Sequence, residues 1–128
     1  LSDLKLNIRS KDFTLPGQDI KGFKLATMRL NNLLLKADLV GKKLKVHDFI
    51  LGDEEAAVRA NFKGHINMNQ RNFIASTLDL SGEVAFSNDF LEKYAIIKLV
   101  MNKFDKKDEF YQIKLSGPLS RPKPSSLR

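Results

Sequence analysis

The sequence predicts a mainly β domain, with α+β as the variant: a curved antiparallel sheet or groove of meandering hairpins with one helix near 88–103. Three observations predict it. Apolar and polar residues alternate with a period of two over most of the chain, as in strands with one buried and one wet face. Turn chemistry punctuates those runs at "LPG" (15–17), "VGKK" (40–43), "GDEE" (52–55) and "NQRN" (69–72). After residue 87 the spacing changes from two to three and four.

In the first strand Leu4, Leu6 and Ile8 face one way and Lys5, Asn7 and Arg9 the other. Residues 23–40 read as two strands: Asn31-Asn32 argues for a break, and Leu33, Leu35, Ala37 and Leu39 alternate after it. A tight turn at 40–43 leads into 44–51. There Leu44 and Val46 share one parity and Phe49 and Leu51 the other, so a β-bulge is expected near His47-Asp48. The clearest strand carries Val58, Ala60, Phe62, Gly64, Ile66 and Met68 on its apolar face. It should pair as a hairpin with a strand carrying Ile74, Leu78, Leu80, Gly82, Val84 and Phe86.

Ser87, Asn88 and Asp89 are good helix N-caps. Phe90, Tyr94, Ile97, Met101 and Phe104 then recur along one helical face, and lysines near the end suit the helix dipole. The alternative for this stretch is a pair of short strands. The final strand, "FYQIKLSGPL" at 110–119, contains Pro118, which has no N–H, so it is expected to be an edge or to end its ladder there. The domain thus spans 1–122, and 123–128 reads as a flexible C-terminal tail.

At 128 residues, with 42% hydrophobic and 29% charged side chains, one domain can bury a core without staples. Cysteine is absent, which removes disulfides, thiolate nucleophiles and cysteine-type zinc sites. The net charge of +7 favours anionic partners, or simply keeps the domain soluble. The basic residues are scattered rather than massed in an arm. The chain has no signal peptide and no apolar run long enough to span a membrane. It begins with Leu1, so the natural chain is expected to start earlier.

Three segments share the pattern apolar-x-Gly-x-apolar: "FKGHINM" at 62–68, "LSGEVAF" at 80–86 and "LSGPLS" at 115–120. Gly64, Gly82 and Gly117 all fall on the apolar face, where a missing side chain bends a strand, admits a bulky neighbour or clears room for a ligand. These are the expected curvature glycines.

No constellation for catalysis appears. His47 and His65 lack the spacing of a zinc protease or a nucleophile elbow, the acidic runs lack calcium-loop spacing, and Gly41-Lys42-Lys43 lacks the rest of a phosphate loop. The expected catalytic, cofactor and metal residues are therefore none.

The ordered string from "GFKLATMRLNNLLLKADLVGKK" through "ANFKGHINM" to "FYQIKLSGPLSRPKP" resembles the periplasmic region of the type II secretion system protein N family, within the AsmA-like group. The ending Leu115, Gly117, Leu119 and Pro122 fits the group's terminal strand, with Phe62, Gly64 and Ile66 as an earlier counterpart. The resemblance covers about residues 20–122. It implies an antiparallel sheet curved into a groove, and a place in the periplasm, anchored to the inner membrane by a segment outside this sequence. It implies a non-enzymatic accessory role in a secretion apparatus, with other envelope proteins as partners. An AsmA-like lipid-binding or lipid-transport role, on lipid or an anionic membrane surface, is the alternative. The groove would be lined by Phe62, Ile66, Met68, Leu78, Leu80, Val84, Phe86, Ile113 and Leu115. The same side chains read more readily as an ordinary core covered by the helix, because alternating apolar residues are what any half-buried sheet needs. Nucleic-acid binding is a third class, permitted by charge alone: the phenylalanines mostly share parity with aliphatic residues and so are not offered to bases.

Overall fold

The computed structural model describes residues 4–20 and 23–127. Residues 1–3 of the expected domain, Gly22 of the resemblance and Arg128 of the expected tail lie outside the described residues. In chain order the elements are β1 (Leu4–Leu15), β2 (Gln18–Ile20), β3 (Phe23–Leu25), β4 (Met28–Val40), β5 (Lys43–Leu51), β6 (Val58–Asn67) and β7 (Thr77–Phe86). They continue with α1 (Asn88–Lys93), α2 (Ala95–Met101), β8 (Lys106–Lys107), β9 (Phe110–Pro118) and β10 (Lys123–Ser125).

The protein is mainly β. One open, curved antiparallel sheet of eight strands runs β1-β4-β5-β6-β7-β9-β10, with β8 also on β9, and β2 and β3 form a separate hairpin. The hairpin expected between 58–68 and the following strand is β6–β7, in unbroken register from Val58↔Phe86 to Asn67↔Thr77. Alternation decides the packing: Ala37, Leu44, Val46, Ala60, Phe62, Leu78, Leu80, Val84, Tyr111 and Ile113 form one buried cluster on one face, joined by Met101 from α2 and Phe104 just beyond it. The opposite face carries the polar parity.

The expected bulge at His47-Asp48 is present. Lys36 pairs with Asp48 and Ala37 with Val46, so His47 has no backbone register partner on β4, and on the other side the register jumps from Val46↔Gly64 to Phe49↔Phe62.

Several expectations change. The break at Asn31-Asn32 does not end a strand. Asn31 takes a positive φ of 69° and sits at a register shift against Phe13, so β4 absorbs the irregularity as a bulge and runs on. The Asn31 amide is held there by both carboxylate oxygens of Asp53, at 3.3 and 3.1 Å. The single helix at 88–103 is two short helices, broken at Tyr94, whose φ of −124° and ψ of 66° are not helical. Ser87 caps the first as expected, accepting the Phe90 N–H at 3.1 Å. Ile74 is not in a strand: it lies in a 3-10 turn (Phe73–Ala75) and is exposed. The final strand is not an edge, because β9 pairs with β7 on one side and with β8 and β10 on the other. Its ladder with β7 does end at Pro118, opposite Thr77. Part of the expected tail, Lys123–Ser125, forms β10 against Lys114–Ser116.

Candidate functional site

All nine expected groove residues lie on one face and meet in one cluster. Phe62, Leu78, Leu80, Val84 and Ile113 are buried members, while Ile66, Met68, Phe86 and Leu115 are half-buried and pack against them. The helices close part of this face. Phe90 of α1 stacks on Phe86, with ring centroids 5.5 Å apart and planes at 9°, and Tyr111 lies 6.2 Å from Phe86 at a tilt. Ile97, Met101 and Phe104 complete the cover. The Tyr94 hydroxyl accepts the Ala26 N–H at 3.1 Å, tying the junction of the two helices to the turn before β4. No local sequence pattern announces that bond, since the partners are 68 residues apart.

Towards β1 the same face is less covered. Leu6, Leu35, Leu39, Phe49 and Leu51 are only half-buried, and Leu4 and Ile8 are 51% and 47% exposed. Leu4 pairs with Leu39, Leu6 with Ala37 and Ile8 with Leu35, so the outermost strand continues the apolar face. Its far side pairs with no strand among the described residues.

Two of the three glycines expected to set curvature are required by close approach. A Cβ at Gly64, where φ is +144°, would lie 2.1 Å from the Asp79 carbonyl oxygen, and one at Gly82 would lie 2.0 Å from that of Asn61. Gly117 differs: φ is +83°, but a Cβ there would meet nothing closer than 3.6 Å. Its role is backbone conformation at the end of the β7–β9 ladder.

On the polar face Lys43, Lys45, His47, Lys63 and His65 surround a shallow hollow of about 660 Å³ beside the β5 bulge. Each histidine has a carboxylate neighbour. His47 Nε2 lies 2.7 Å from Asp38 Oδ2, and His65 Nε2 lies 3.4 Å from Asp79 Oδ2, which Lys114 Nζ also approaches at 3.8 Å. The hydrogen bond with His47 is the chief cause holding the Asp38 carboxyl below its ordinary value of 3.8; desolvation works against it, and the charges of His47, Lys5 and Lys45 add to it. The sequence reading missed these pairs, although His65↔Asp79 follows directly from the β6–β7 register. Among the described residues no three His, Cys, Asp or Glu side chains come together as a metal site, and no helix is long and apolar enough to cross a membrane.

No family model, curated protein or solved structure matches the chain. The candidate site is therefore defined by its geometry: an apolar sheet face that is filled at its centre and runs out to the edge strand β1, whose outer side pairs with no strand among the described residues.

Proposed function

We propose that the chain is a non-enzymatic interaction module of a bacterial envelope secretion apparatus, type II secretion protein N-like, and that it docks through the open edge of its sheet. The observation that carries this reading is β1. It offers a twelve-residue edge, paired among the described residues only with β4, and presents Leu4 and Ile8 beside the core. An edge of about 40 Å, at about 3.3 Å per residue, is a template for a partner strand. Main-chain hydrogen bonds would supply affinity, and alternate side chains specificity. The periplasmic, inner-membrane setting rests on the resemblance of the "LSGPLSRP" ending and the strands before it.

Lysine on an edge blocks strand addition. Leu4→Lys with Ile8→Lys alters two exposed side chains, so the fold should survive with a thermal midpoint close to wild type. In a bacterium carrying the gene, deletion and this double variant should both reduce the enzymes exported to the medium. Undiminished export in the deletion strain would refute the reading.

A second reading is an AsmA-like lipid-binding domain. It is favoured by the continuity of the apolar face from Leu115 on β9 to Ile8 on β1, with its outer third half-covered. Native mass spectrometry after gentle extraction separates the two. A co-purifying lipid, lost in the Ile8→Lys variant, supports the second reading, and a lipid-free protein supports the first.

A further inference from the structure

The wet face of the sheet concentrates positive charge at one place. Lys43 and Lys45 of β5 and Lys63 and His65 of β6 share this face by parity, and His47 joins them at the bulge, around the hollow of about 660 Å³. No acidic side chain lines it. Lys45 stands directly opposite His65, and Lys63 is its diagonal neighbour, about 7–8 Å away by strand geometry. The bulge leaves Lys63 without a cross-strand partner on β5, because the register passes from Val46↔Gly64 to Phe49↔Phe62.

The carboxylates nearby are already engaged. Asp38 lies against His47, Asp79 against His65 and Lys114, and Asp48 stands opposite Lys36. From β1 to β9, the three cross-strand rows that meet at the hollow carry six lysines (Lys5, Lys36, Lys43, Lys45, Lys63 and Lys114) and those three aspartates. Three positive charges are therefore left over before either histidine takes a proton. In the next row Arg9 and Glu83 cancel. Among the described residues Lys43 and Lys63 form no ion pair, and Lys45 has only a longer-range attraction to Asp38, whose carboxylate is bonded to His47. Like charges this close on one face work against the sheet, and an anion in the hollow removes that cost.

We propose that this hollow binds a diphosphate group, with Lys43, Lys45 and Lys63 neutralising its charge. Three surplus charges exceed what one phosphate monoester brings, about −1.5 to −2 at neutral pH, and suit two linked phosphates. Planar carboxylates are met best by arginine forks, and no arginine lines this hollow, whereas lysine meets phosphate as a point charge. No aromatic ring lines it either, so a nucleic-acid base finds nothing to stack on. The neighbouring hollow at Lys42, Asn67 and Arg71 also lacks an acidic side chain. The positive surface thus continues towards the β6–β7 loop, where a group esterified to the diphosphate can lie. The site is on the face opposite the apolar cluster and two strands in from β1, so it does not depend on what that edge binds.

Inorganic pyrophosphate is the probe, at about 50 mM salt so that screening stays weak. In an amide NMR titration the peaks that move should be those of residues 43–48 and 63–65. By calorimetry pyrophosphate should bind at least tenfold more tightly than orthophosphate or citrate. Lys43→Gln/Lys45→Gln/Lys63→Gln should lower its affinity at least tenfold, with a thermal midpoint no lower than wild type, since the change relieves repulsion. Lys24→Gln/Lys98→Gln/Lys107→Gln removes the same charge from exposed lysines elsewhere and should leave the affinity within twofold. ADP separates the sources. Affinity equal to or above that of pyrophosphate supports a diphosphate carried on a larger molecule, and weaker or no binding supports the free anion. The inference is overturned by unmoved amides at millimolar pyrophosphate or by equal binding of citrate. It is also overturned by equal loss in the two lysine variants, or by a single-stranded oligonucleotide binding more tightly than pyrophosphate.

Discussion

Gly82 sits directly opposite Phe62 in the β6–β7 ladder, and the phenylalanine ring occupies the space that a side chain at Gly82 would need. A Cβ there would lie 2.7 Å from Phe62 Cδ1 and 2.0 Å from the Asn61 carbonyl oxygen. The glycine is required by close approach. It lets a buried aromatic fold back over the neighbouring strand and thicken the core of a one-layer sheet.

Gly82→Ala should therefore cost about 2–3 kcal/mol, the scale of overpacking in a tight core. Gly117→Ala has open space and faces only a positive φ, so it should cost about 1 kcal/mol. Urea denaturation of the two variants measures the gap. Equal losses would mean that the neighbouring strand gives way to the added Cβ, and that close approach of Asn61 and Phe62 does not set the need for glycine at Gly82.

The contrast also shows what the sequence could and could not reveal. Period-two alternation placed nearly every core residue, because side-chain direction in a strand follows from parity alone. The phase slip between Val46 and Phe49 even located a bulge. Three shared glycines suggested one role, but only tertiary approach separates Gly64 and Gly82 from Gly117. Tyr94 fits a helical stripe by spacing, yet its hydroxyl is drawn to Ala26, and its backbone breaks the helix. The edge at β1 was hidden for a related reason. Pro118 pointed to the last strand, but which strand lies outermost is set by topology, and β10 folds back to cover β9.

The Asp38–His47 pair across the bulge makes a pH prediction. The folded value of Asp38 lies below 3.8, mainly through the His47 hydrogen bond. A depressed carboxylate stabilises the fold above its unfolded value, and that contribution is lost as pH falls through the folded value. The Asp38 carboxyl carbon, followed by NMR, should titrate below 3.8 and move up towards it in His47→Ala. The stability difference between the two proteins should narrow as pH drops through the folded-state midpoint. An unmoved midpoint in the variant would assign the shift to Lys5 and Lys45 instead.

Ser87 governs the start of the helical cover. Its hydroxyl oxygen accepts the Phe90 N–H, and Phe90 is the residue of α1 that stacks on Phe86. Ser87→Ala should cost about 1 kcal/mol. Hydrogen exchange should accelerate first at the Phe90 and Leu91 amides, because the loss is local to the first turn. Uniformly faster exchange across the sheet would show that α1 is not a separate unit.

Ser76 joins two loops at the other end of the sheet. It is 1% exposed, and its hydroxyl oxygen accepts the Asn69 N–H at 2.8 Å. Its carbonyl accepts the Leu119 N–H at 2.7 Å, and the Ile74 carbonyl accepts that of Ser120 at 3.0 Å. The loop between β6 and β7 is thus bonded to the turn between β9 and β10. Replacing Ser76 with Ala keeps the backbone bonds but leaves the Asn69 N–H without its acceptor. A donor stranded in a part-buried site costs about 1–3 kcal/mol, so the urea midpoint should fall with an unchanged slope. Exchange at the Asn69, Arg71 and Asn72 amides should quicken more than at Leu119, whose bond goes to a main-chain oxygen. If Leu119 quickens equally, the hydroxyl is holding the whole junction, and the turn that positions β10 depends on it as well.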